Sequence, residues 1–172
     1  METVIQDYFN NLCCSVIPAL NLKIASATFY EAGIYDQASF ETVSGTTVDN
    51  FTLTDSYLEC QVLTILEGTI NLSSMNITEL IEVNVPGLIT LDLINNSLTK
   101  INPTTPLPIT LQQLILKYNQ IDNIGYTNSE PWANSMHNGT GPTYTIDFFG
   151  NPDTVFGTGL ETILTAKGWT II

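Results

Sequence analysis

The sequence predicts a repeat fold: a solenoid of about five turns, with a short parallel β-sheet on its concave face, an irregular convex side and a C-terminal capping helix. Three observations predict it. One eleven-residue pattern occurs twice, as LITLDLINNSL over residues 88–98 and LQQLILKYNQI over residues 111–121. Weaker copies of its core lie in register before and after that pair, and the chain closes on a helix-like stretch followed by a short apolar run.

Both strong copies read L-x-x-L-x-L-x-x-N-x-L/I, with leucines alternating over a short strand and an asparagine where the chain bends away. This pattern resembles the leucine-rich repeat. The resemblance implies units that stack into a curved leucine-rich-repeat-like solenoid, with leucines inward and the residues between them on a concave binding face. The family hosts many functions, so the resemblance implies an architecture rather than one activity.

At the start of the chain, residues 1–47 do not repeat. Val4, Ile5, Tyr8, Phe9 and Leu12 form a helical face before Pro18, NLKIASATFY reads as extended, and SGTT reads as a turn. The segment is expected to be either a cap over the first turn or a docking arm through which copies of the chain could oligomerise. The repeat domain is expected over residues 48–157. Phe51, Leu53, Ser56 and Leu58 match the repeat core weakly, as do Ile70, Leu72, Met75 and Ile77. Further on, Ile146, Phe148 and Asn151 repeat the positions of Leu114, Leu116 and Asn119. The extra residues of that turn fall in an insertion over residues 125–145, rich in turn formers, whose Trp132 and His137 either fold over the core or form a contact loop. Residues 158–172 are expected to close the domain: Thr158 and Glu161 start a helix, Gly168 ends it, and a short strand comes last. Within it, TAKGWTI resembles the closing cap of bacterial and bacteriophage repeat proteins.

The asparagines Asn96, Asn119 and Asn151 read as an internal ladder, because a side chain with both donor and acceptor can satisfy backbone groups freed at each bend. The outward residues form the candidate partner-binding face. Its N-terminal part is small and polar, and its later part carries Asp92, Ile94, Gln113, Ile115, Lys117, Asp147 and Phe149. At about 4.8 Å between strands, such a face is roughly 19 Å wide, enough for a peptide, a short glycan or the flank of a protein.

Composition removes several alternatives. Seventeen acidic residues face four lysines, with no arginine, for a net charge of −13. Phosphate recognition relies on basic side chains, so neither nucleic acid nor an anionic membrane surface is an expected partner. No apolar run reaches the roughly 18 residues of a membrane span, and METVIQDYFNN does not read as a secretory signal. The chain is therefore expected to act as made. Cys13, Cys14 and Cys60 allow at most one link, from one of the adjacent pair to Cys60, and show no C-x-x-C spacing for a metal with His137. No cofactor is expected.

No G-x-S-x-G, H-E-x-x-H or phosphate-loop motif occurs. Asp92 and Asp147 share the concave face about 9–10 Å apart, a separation at which paired carboxylates can hydrolyse glycosides. A shallow open face excludes little water and shifts no pKa, so the chain is expected not to be an enzyme. The expected function is a protein-interaction or structural module in a larger assembly, a bacteriophage head-fibre, tail or decoration component located on the virion. The alternative is a free recognition or adhesion module at a bacterial surface or outside the cell, binding a host-surface protein or glycan.

Overall fold

The computed structural model describes residues 21–26, 29–141 and 143–172. These form two sheets and three α-helices around one continuous apolar core. The first sheet is antiparallel. It contains β1 (Asn21–Ser26), β2 (Thr46–Leu53), β3 (Tyr57–Ile65) and β5 (Ile77–Val83) in the order β2-β3-β1-β5. The second is parallel, with β4 (Thr69–Asn71), β6 (Thr90–Asp92), β7 (Gln113–Ile115), β8 (Thr145–Asp147) and β9 (Thr170–Ile171) side by side in that order.

The five-turn solenoid expected from the sequence is not the fold, and the antiparallel sheet is what overturns it. The supposed turn at Phe51, Leu53, Ser56 and Leu58 is a hairpin, in which β2 and β3 run antiparallel with Leu53 opposite Leu58. Its physical origin lies in β3. Leu58, Cys60 and Val62 are buried and alternate with more exposed residues along a nine-residue strand, far longer than the two- and three-residue strands of the parallel sheet. Thr54, Asp55 and Ser56 supply the turn, with the Tyr57 N–H donating to Thr54 Oγ1 at 3.1 Å. An alternating strand satisfies an L-x-L ruler as well as a repeat does, and the next element separates them. After β4 the chain enters β5, which pairs antiparallel with β1 before the chain returns to β6 beside β4.

The remaining expectations map unevenly onto this architecture. Strand β2 runs across residue 47. The helical face from Val4 to Leu12, and Cys13 and Cys14, lie outside the described residues. Cys60 is a buried free thiol, its pKa pushed up to about 12 by burial. The stretch read as extended contains β1, and SGTT joins the end of helix α1 (Gln37–Ser44), absent from the sequence expectation, to the start of β2 through Gly45. A capping box starts α1: the Ser39 N–H donates to Asp36 Oδ1 at 2.8 Å and the Asp36 N–H to Ser39 Oγ at 3.0 Å. Gly45, at φ 70°, ends it.

In the parallel sheet Ile70, Leu91, Leu114, Ile146 and Ile171 stand in register, one per strand, and the first four are fully buried. The residues of the expected insertion lie largely on helix α2 (Asn123–Ser135), capped by Asp122, which accepts from the Gly125 N–H at 2.8 Å. Helix α2 packs against α3 (Gly159–Ala166), where Thr158 accepts from the Glu161 N–H at 3.2 Å. Among the described residues no helix is long and apolar enough to cross a membrane.

Candidate functional site

The outer face of the parallel sheet rests on a polar scaffold buried beneath its strand ends. Asn119 Oδ1 accepts from the Leu98 N–H at 3.1 Å, while its Nδ2 donates to the Leu93 and Leu116 carbonyls at 2.9 and 3.0 Å. Asn96 makes the same set one turn earlier, accepting from Met75 and Ile77 and donating to Leu72 and Leu93. Asn151 makes it one turn later, accepting from Ile121 and donating to Leu116 and Phe148. Each amide thus ties its own bend to the preceding turn; the short bonds of Asn96 and Asn119 are buried, and those of Asn151 are part-buried.

Above this scaffold the register sets Asn71, Asp92, Ile115 and Asp147 in one row across β4, β6, β7 and β8. Three of the four turn their side chains to the backbone two residues on. Asn71 accepts from the Ser73 N–H, Asp92 from the Ile94 N–H at 2.9 Å, and Asp147 from the Phe149 N–H at 3.0 Å. These are Asx-type bonds that shape the strand exit. Asp147 also meets Lys117, with Nζ 2.9 Å from Oδ2, and that carboxylate holds the lysine above its ordinary pKa. Gln113 is exposed and accepts from Thr90 Oγ1 at 3.3 Å, and Ile94 and Ile115 are half-buried. The two carboxylates of the face are therefore on one surface, each held by local partners, with Ile115 between them.

Trp132 and His137 do not form an exposed contact loop. Trp132 is buried on α2. The half-buried His137 packs edge-on against Tyr144 and Trp169, with Nε2 3.1 Å from the Leu111 carbonyl, while Trp169 Nε1 donates to the His137 carbonyl at 3.0 Å. Burial, opposed by the Leu111 bond and reinforced by the Lys167 charge, holds the imidazole below its ordinary pKa. His137 joins the end of the insertion to the closing segment. Among the described residues no group of three or more His, Cys, Asp or Glu could hold a metal ion.

The geometry adds a feature that the sequence reading missed. Ser74, Asn95, Tyr118 and Gly150 occupy equivalent bends, each with left-handed backbone at φ 58°, 55°, 53° and 78°. Gly and Asn suit such a site, but other L-residues, Ser74 and Tyr118 among them, cost about 1–2 kcal/mol there. Tyr118 is 51% exposed, so full burial of its ring does not offset that cost. The ring lies over Gly150, where an added Cβ would collide with Tyr118 Cδ1, and it meets Phe149 edge-on with centroids 5.7 Å apart.

Phe149, Phe156 and Ile172 are exposed by 63%, 57% and 56%. Together with Phe148, Val155 and Asp153 they line a pocket of about 290 Å³. Large apolar groups left in water on a hydrogen-bonded platform mark a contact surface more than scattered exposed residues do. No family model, curated protein or solved structure matches the chain. The site's chemistry must be read from its own residues. Of this patch the sequence reading named only Phe149. The signal for Tyr118 was present, as an aromatic at the position that holds Asn in the other strong copy and Gly in the next. Phe156 and Ile172 carry no comparable signal, because nothing in their spacing places them beside Phe149.

Proposed function

We propose that the chain is a non-enzymatic interaction module of a larger assembly, docking through the end of the parallel-sheet face at Phe149. One observation carries the reading: Phe149, Phe156 and Ile172 stay exposed together around a pocket, with the exposed Tyr118 ring edge-on to Phe149, on a platform braced by asparagine bonds. The non-enzymatic part rests on how the polar groups are used. Asp92, Asp147 and His137 each serve a structural bond. A bacteriophage particle is the assembly that we favour, on the acidic Thr- and Asn-rich composition and the resemblance of TAKGWTI to the closing cap of bacterial and bacteriophage repeat proteins.

The test is sedimentation of the chain with particles from cells that make it, beside a Phe149→Ala/Phe156→Ala variant. Co-sedimentation of the wild type, with the variant left soluble at an unchanged circular dichroism spectrum, is the expected result. A wild-type chain that never leaves the soluble fraction, or a variant that sediments equally well, overturns the reading.

A further inference from the structure

On the reading that the Phe149 end is a contact surface, the chemistry of what it contacts can be taken further. We propose that this surface takes a cationic, apolar segment of a partner protein, with an Arg or Lys side chain over the Tyr118 and Phe149 rings and an adjacent large apolar side chain in the pocket beside them. Three observations meet in this assignment.

The first is the pocket's size. At about 290 Å³ it lies at or below the roughly 300–1,000 Å³ of small-molecule sites, and its walls are Phe148, Phe149, Val155, Phe156 and Ile172. That suits one apolar side chain of a protein segment.

The second is the pair of rings. Tyr118 and Phe149 meet edge-on and both remain more than half exposed, and Phe149 also lines the pocket. An open ring face attracts a guanidinium or ammonium group through its quadrupole.

The third is charge. Seventeen acids oppose four lysines, and three of those lysines are already engaged: Lys23 with Glu59 and Glu82, Lys117 with Asp147, and Lys167 with the Met136 carbonyl. Asp153 stands in the pocket wall itself, its Oδ2 accepting from the Asn123 N–H at 3.0 Å. A cationic segment is drawn to such a surface, and an acidic one is repelled.

The test uses two end-capped, fluorescein-labelled peptides, Gly-Arg-Trp-Arg-Gly and Gly-Glu-Trp-Glu-Gly, with anisotropy read against the full chain. The arginine peptide is expected to bind at least tenfold more tightly than the glutamate peptide, and to weaken several-fold as salt shortens the Debye length. Tyr118→Gly keeps the left-handed bend without strain, so it should lose binding while its melting temperature holds or rises, which separates loss of the ring from misfolding. Equal binding of the two peptides, or undiminished binding to Tyr118→Gly, overturns the proposal. If neither peptide binds while Phe149→Ala/Phe156→Ala still releases the chain from its assembly, the contact surface stands and its cationic partner does not.

Discussion

Asn119→Ala tests the scaffold beneath the candidate site. Asn119 is 1% exposed and makes one accepted and two short donated hydrogen bonds. Alanine removes all three and leaves the Leu98 N–H without its acceptor in a buried place. The lost bonds are worth about 0.5–1.5 kcal/mol each, and a stranded buried group costs about 1–3 kcal/mol, so a loss of about 3–5 kcal/mol is expected. Against a typical total of about 5–15 kcal/mol, that is a large fraction of the fold's stability. Urea unfolding monitored by circular dichroism reads it as a lower midpoint at unchanged slope. Asn119→Asp refines the test, because a carboxylate can still accept from Leu98 but cannot donate to Leu93 and Leu116. Burial and two facing carbonyls raise its folded pKa above the unfolded value, so that variant should regain stability as pH falls and the carboxyl becomes a donor. Gln120→Ala, at an exposed neighbour, should change stability by no more than about 0.5 kcal/mol. A loss below about 1 kcal/mol in Asn119→Ala would refute the view that this amide holds the turns together.

Three further outcomes are expected in other parts of the molecule. Gly150→Ala places a Cβ against the Tyr118 ring on left-handed backbone, and should cost at least about 1–2 kcal/mol in the same unfolding assay while shifting the Tyr118 ring resonances in an NMR spectrum. Ser129→Ala removes a buried hydroxyl that accepts from the Ile101 N–H at 2.8 Å and donates to the Gly125 carbonyl at 2.7 Å, so about 1–3 kcal/mol should be lost. The imidazole of His137 has its pKa lowered in the fold, so the folded state binds fewer protons; its stability contribution is complete above the unfolded value near 6.5 and is lost as pH falls from there through the folded value. Melting temperatures from pH 8 to 5 should therefore drop less steeply in His137→Gln than in the wild type.

Much of the parallel sheet was legible in the sequence because its information is local and periodic. Leu91, Leu93 and Asn96 repeat as Leu114, Leu116 and Asn119, and one spacing places both the buried column and the amides that brace it. The closing helix was legible for a similar reason, since Thr158 and Glu161 sit three apart at its start. The capping box of Asp36 and Ser39 carried a comparable signal for α1, and the reading passed over it because the adjoining residues lack a strong apolar stripe.

What only the tertiary structure decided concerns partners far apart in the chain. The alternation in β3 is compatible with a repeat strand or a hairpin, and pairing with β1 and β2 selects the hairpin. Asp92 and Asp147 read as free charges until the Ile94 and Phe149 amides and Lys117 are seen to hold them. The contact surface likewise exists only in three dimensions, since Phe156 and Ile172 reach Phe149 through the loop after β8 and the end of β9. The sequence by itself determined the register of β6 against β7, because the same L-x-L-x-x-N core in both strands has one economical way to stack. The fold of the first half and the make-up of the site depended on which distant surfaces bury one another, and a pattern read along the chain holds no record of that.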